Sequence, residues 1–123
     1  MDLLQKILPE SILKIGIPTC HDESSKIAWP LNQLEIILEN VRIKGLAILG
    51  GDIYVEDSDG LALTYDNWWA DLERGEKWEA FVLRSHSEAK AYLEKPWHQR
   101  NSWFVLVVAD KPDAKMLARS YAR

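Results

Sequence analysis

The hydrophobic period changes three times along the chain, and this switching limits the open architectures more than any single motif does. Leu31, Leu34, Ile37, Leu38 and Val41 recur at helical spacing behind Pro30, and Gly45 stands where such a helix needs its left-handed stop. Trp78, Phe81, Val82, Ser85, Ala89, Tyr92 and Leu93 trace one face of a second, longer helix that Pro96 would end. Its charged residues, Glu79, Arg84, Glu88, Lys90 and Glu94, fall mostly off that face. Between the two stripes the spacing is not helical. Leu46–Leu49 is a short apolar run held between Gly45 and the Gly50-Gly51 pair, the pattern of a buried strand followed by a tight bend. Asp52–Val55 and Leu61–Tyr65 flank Glu56-Asp57-Ser58-Asp59-Gly60, whose Asp-Gly ending predicts a β-hairpin. Trp103–Ala109 is aromatic, β-branched and uncharged, which predicts a mid-sheet strand covered on both faces.

These elements predict a two-layer α+β domain: a mainly antiparallel sheet of about four strands packed against two long helices, with the hairpin between the helices in sequence. Strand order does not follow from them. Glu10–Ile15, bracketed by Pro9 and Gly16, suits one or two further helical turns, and the polar stretch Thr19–Ser25 reads as an exposed loop. Beyond Lys111, Met116 and Leu117 lie among charges, so 112–123 is read as a short docked helix or a frayed tail. With 123 residues, 47% of them hydrophobic and 28% charged, the chain is long enough to bury one core and is expected to form a single domain over 1–123.

Charge and cysteine usage narrow the function classes. A net charge of −4 argues against general affinity for the phosphate backbone of nucleic acid and favours a basic partner. Cys20 is the only cysteine, so an intramolecular disulfide and a multi-cysteine zinc site are both excluded, which suits a reducing compartment. Asp2, Gln5, Lys6, Pro9 and Glu10 interrupt the N-terminal segment before any long apolar run develops, so no signal-peptide core, membrane span or membrane partner is expected and the location is read as cytoplasmic.

No constellation of catalytic type assembles. Cys20-His21 has no second ligand at a usable spacing, and His86 and His98 read as packing or surface residues. Asp57-Ser58-Asp59-Gly60 lacks the remaining ligands of a calcium loop, and Gly50-Gly51 lacks the lysine and glycine spacing of a phosphate loop. No metal or cofactor is therefore expected. Asp52 and Asp66, at the start and end of the hairpin, are the one carboxylate pair that acid–base chemistry would use, although structural hydrogen bonding explains such a pair as well. Enzyme activity is not expected.

Six tryptophans are many for this length, and they direct attention to binding. Trp78 and one of Trp103/Phe104 have periodic apolar company and belong in a core. Trp68 and Trp69 are adjacent, and neighbours in an extended segment point to opposite faces, so one is expected in the core and the other exposed among carboxylates. An exposed aromatic ringed by acids suits a binding surface, since aromatics anchor interfaces and carboxylates steer a basic partner.

Leu49-Gly50-Gly51-Asp52-Ile53-Tyr54, followed after the hairpin by Tyr65-Asp66-Asn67-Trp68-Trp69, resembles the immunity protein 40 family of bacterial polymorphic-toxin systems. The resemblance extends from the helix before Gly45 through the long helix with its Ser85 and Tyr92 to the final apolar strand, and it stops short of Pro112–Arg123. It implies a small cytoplasmic protein that binds and neutralises a cognate protein toxin domain. On that reading Tyr54 and Trp69 are the expected anchors, with Asp57, Asp59, Asp71 and Glu73 providing acidic steering. The competing view makes the signature residues scaffold and leaves recognition to Glu56–Asp59 and Asp71–Glu76. A ligand-binding or enzymatic domain would instead place Asp52 and Asp66 in a pocket under the long helix, and a structural subunit would show a large apolar patch.

Overall fold

The computed structural model describes residues 2–19, 26–95 and 101–117. Two short helices, α1 (Leu3–Ile7) and α2 (Glu10–Leu13), precede strands β1 (Ile17–Pro18) and β2 (Ile27–Pro30). A 3-10 turn at Leu31–Gln33 leads into α3 (Leu34–Ile43), followed by β3 (Ala47–Asp57), β4 (Gly60–Trp69), α4 (Trp78–Leu93) and β5 (Ser102–Ala109). The strands form one sheet in the order β1-β2-β5-β3-β4, every pair antiparallel. The α+β class and the antiparallel sheet are those the sequence predicts. The count is five because Leu46–Leu49 and Asp52–Val55, predicted as separate strands, are joined in β3, while β1 and β2, two and four residues long, are too short to show a period in sequence.

Local chemistry accounts for the element ends. Asp2 caps α1 through a reciprocal pair: its Oδ1 accepts from the Gln5 backbone N–H at 2.9 Å, while the Gln5 side chain accepts from Asp2 N–H at 2.9 Å. Gly45 takes φ +68° beyond α3, and Leu46 N–H returns to the Val41 carbonyl at 3.1 Å, which closes the helix as the sequence predicts. The long helix ends at Leu93 with Glu94 as its cap; Pro96 and Trp97 lie outside the described residues, as do Cys20, His21 and His98. Residues 114–117 are helical, with Asp113 Oδ1 accepting from Met116 N–H and Met116 buried, so the described part of the C-terminal stretch docks.

The main core lies between one sheet face and the helices. Trp29, Ile48, Ile53, Trp68, Phe104 and Leu106 from the sheet pack with Leu4, Leu8 and Ile12 from the N-terminal segment, Leu34, Ile37, Leu38 and Val41 from α3, and Ala89 and Leu93 from α4. A second cluster of Ala47, Ala70, Leu72, Phe81 and Val82 closes the end where β4 leaves the sheet.

Two expectations are corrected. Gly50-Gly51 does not bend the chain: β3 runs unbroken from Ala47 to Asp57 through both glycines. The strand Trp103–Ala109 is central, between β2 and β3, as predicted, but among the described residues helices cover only one of its faces; Phe104 and Leu106 lie in the main core, whereas on the other side Val105 is buried and Trp103 and Val107 stay half-buried. An uninterrupted apolar run cannot by itself distinguish cover by the chain's own helices from cover by a partner.

Candidate functional site: an open sheet face seated on two glycines

Strand register explains the paired glycine and tryptophan motifs. Gly50 stands opposite Trp69, and Gly51 opposite Trp68. Adjacent residues of a strand face opposite ways, so each glycine receives one ring, on opposite sides of the sheet. At Gly51 a side-chain methyl would strike the Val105 carbonyl oxygen and lie 2.6 Å from the Trp68 ring. At Gly50, where φ is +153°, it would strike the Trp68 carbonyl oxygen and lie 2.8 Å from the Trp69 ring. The glycines are thus seats for aromatic rings.

Trp68 faces the helices. It is 8% exposed and stacks on Tyr92 of α4 at 5.0 Å between centroids. Ser85, fully buried two helical turns earlier, accepts a 2.9 Å hydrogen bond from Ile48 N–H and donates one of 2.8 Å to the Val82 carbonyl. The contact sits where β3 slips register against β5 between Ile48 and Gly50. A side-chain hydroxyl thereby serves a backbone donor at an irregularity in the ladder. His86 Nε2 adds a 2.7 Å hydrogen bond to the Leu46 carbonyl.

Trp69 lies on the other face and is 62% exposed. The register places Tyr54 between Leu63 of β4 and Trp103 of β5, and Asp52 between Asn67 and Val105, in neighbouring rows on that same face. Leu63 is 41% exposed, while Tyr54, Trp103 and Val107 are half-buried. This face mixes aromatic and apolar side chains with the polar Asp52 and Asn67.

A further exposed aromatic on β4 is Tyr65. Between the pairs Asp52–Asn67 and Tyr54–Leu63, β3 advances two residues and β4 four, so β4 bulges at Thr64–Asp66. Tyr65 takes φ +66° in that bulge, the one positive-φ non-glycine among the described residues, and projects its ring 82% exposed. Thr64 Oγ1 secures the bulge, donating to the Ile53 carbonyl at 2.8 Å and accepting from Asp66 N–H at 3.1 Å. Tyrosine is an uncommon residue in left-handed backbone.

Of the residues picked from sequence, Tyr54 and Trp69 share the open face, four residues of strand or about 13 Å apart. The carboxylates divide between its two ends. Asp57 and Asp59 belong to the hairpin tip, where Asp57 Oδ1 accepts from Asp59 N–H at 2.8 Å. Asp71 and Glu73 lie beyond the far end of β4, in a loop that Arg84 ties to α4. The Arg84 guanidinium donates to both oxygens of Glu76, at 2.8 and 2.9 Å, and to the Asp71 carbonyl at 2.6 Å. This fork holds the Glu76 carboxyl below the usual carboxylate range and raises Arg84 further. Asp52 is opposite Asn67, one residue along from Asp66, so the register does not set the two aspartates against each other. None of the principal clefts formed by described residues is lined by either.

Leu63 and Tyr65 escape sequence reasoning for different reasons. Leu63 alternates with residues that look like core, and nothing in a tyrosine's identity marks a bulge. A readable signal for the face as a whole is charge segregation. From Gly45 to Glu73 there is no lysine, arginine or histidine and there are seven carboxylates; the rest of the chain holds fifteen basic against twelve acidic residues. Among the described residues, no group of three or more histidine, cysteine, aspartate or glutamate side chains is placed to hold a metal, and no helix is long and apolar enough to cross a membrane.

The sequence profile of immunity protein 40 matches residues 11–109. The chain belongs to the immunity protein 40 family. The match runs from α2 to the end of β5, so both glycine seats, Ser85 and Tyr92 fall within the family region of this immunity protein, whereas α1 and the docked Met116 fall outside it. No curated protein and no solved structure matches the chain.

Proposed function

We propose that this immunity protein neutralises a bacterial toxin domain, encoded beside it, by laying the open face of β5, β3 and β4 over the toxin and blocking it sterically, without catalysis and in the cytoplasm. The observation that carries the reading is the exposed pair Leu63 and Trp69 on one sheet face, with exposed Tyr65 on the bulge between them and Trp69 held against Gly50 before any partner arrives. A ring already fixed in place loses little rotamer entropy on binding, which is what a tight anchor requires. The buried half of the signature, Gly51, Trp68, Ser85 and Tyr92, is scaffold, and the Gly50–Trp69 half is contact surface. The two competing accounts of the signature thus each describe one face of the sheet.

The test is co-expression with the C-terminal domain of the neighbouring toxin-like protein, scoring host survival and co-purification. Wild-type chain is expected to protect and to form a stable complex. Trp69→Ala is expected to weaken binding by roughly 2–4 kcal/mol while its unfolding midpoint stays near wild type. Unchanged affinity in a folded Trp69→Ala protein would exclude the open face as the contact surface.

A further inference from the structure

We infer that the toxin surface covered by the open face is a cationic, phosphate-binding one, so that the toxin acts on nucleic acid and the immunity protein occupies the track its substrate would take. This rests on the open-face reading above. The overall charge of −4 conceals the distribution: Gly45–Glu73 carries seven negative charges and no positive one, while the remainder carries a surplus of three positive.

The two faces treat their carboxylates differently. On the helical side Glu35, Glu39, Glu76, Glu88 and Glu94 pair with Arg42, Arg84 or Lys90, and only Glu10 and Glu79 of the helical carboxylates have no ion pair among the described residues. On the sheet side, no ion pair involves Asp52, Glu56, Asp57 or Asp59 among the described residues. β5, which completes the face, contains no charged residue at all. Among the described residues, the carboxylates Asp52, Glu56, Asp57 and Asp59 therefore give this side of the sheet an anionic field that no ion pair offsets.

Carboxylates and flat rings alternate along this face, with Glu56 near the tip, then Tyr54, Asp52 and Trp69 towards the base, while Asp57 and Asp59 stand at the turn and exposed Tyr65 on the bulge of β4. Single-stranded nucleic acid offers its binders the same two features, regularly placed negative charge and stackable π-faces. A groove built for that polymer presents arginine and lysine between aromatic or apolar side chains, and arginine over Trp69 or Tyr65 would gain a cation–π contact beside a carboxylate. A second copy of this chain is a poor occupant, because it would set one anionic face against another.

Affinity for the neighbouring toxin domain should be measured between about 50 and 300 mM salt, with a 20-nucleotide single-stranded DNA as competitor. The combined variant Asp52→Asn, Glu56→Gln, Asp57→Asn, Asp59→Asn keeps side-chain shape and the turn acceptor at Asp57. It should bind at least about 100-fold more weakly at low salt, mostly through a slower on-rate, and with a flatter salt dependence; the DNA should compete with wild type. A salt-independent affinity, an ineffective competitor and a neutralised variant within about threefold of wild type would overturn the inference. If Trp69→Ala still abolished binding in that case, the open-face reading would survive alone. If neither Trp69→Ala nor the neutralised variant altered the complex, that reading would fail too, and the absence of any complex would remove both. Dimerisation of the free chain that strengthens on neutralisation would assign the face to self-association instead.

Discussion

Replacing Tyr65 with glycine separates stability from binding. The residue sits at φ +66° with its ring 82% exposed, so the folded protein gains little burial from it and carries the left-handed penalty of roughly 1–2 kcal/mol. Glycine removes that penalty but adds freedom to the unfolded chain, which costs about 0.5–1 kcal/mol. The balance is a stabilisation of roughly 0.5–1 kcal/mol, and a domain of this size should then melt about 2–4 °C higher. Urea unfolding at unchanged m-value would read the gain as a higher midpoint. Toxin affinity should move the other way, falling at least about tenfold as an exposed aromatic contact is lost. A Tyr65→Gly protein less stable than wild type by more than about 0.5 kcal/mol would refute the strain argument. Equal toxin affinity would refute the role of the ring. Tyr65→Asn, which tolerates the same backbone, should reproduce both effects more weakly.

Three further substitutions probe the scaffold. Gly51→Ala drives a methyl into the Val105 carbonyl and the Trp68 ring and should cost at least about 2–3 kcal/mol, seen as a large drop in urea midpoint. Ser85→Ala leaves Ile48 N–H buried without its acceptor and should cost roughly 1–3 kcal/mol by the same assay, with nearby amides exchanging faster. Glu76 is held below the usual carboxylate range by Arg84, so its contribution is complete above the ordinary glutamate value near 4.5 and is lost as pH falls through the lowered one. Glu76→Gln should therefore be about 1 kcal/mol less stable than wild type at pH 7, the part-exposed pair limiting the effect, and the difference should close on acidification below about pH 4.

How far the fold could be read depended on the length of the segment carrying each signal. α3 and α4 span 10 and 16 residues, enough for the helical period to repeat and name the buried faces, and the Asp-Gly turn marked the hairpin. β1 and β2 are below the length at which alternation means anything, and α1, at five residues, is defined by the Asp2–Gln5 cap more than by its stripe. Gly50-Gly51 misled because glycine has two uses, turning the chain and admitting a neighbour closely, and only the register distinguishes them. The candidate site was legible where adjacency sufficed: Trp68-Trp69 had to split between two faces, and it did. Tyr65 was not, since its conformation comes from a bulge that no residue type announces.

The alternation along β4 also bears on how such a protein can acquire a new partner. Leu63, Tyr65, Asn67 and Trp69 are exposed, whereas Trp68 between them is sealed into the core, so adjacent positions answer to different constraints. Substitutions at the outward positions can accumulate with little effect on folding, while those at Gly51 or Trp68 are removed before partner choice is ever in question. The hairpin turns through only Ser58 and Asp59 at the rim, where length and charge can change without disturbing the ladder. On the proposed open-face reading, lineages that carry this scaffold diversify against many toxins by editing every second residue of a single strand.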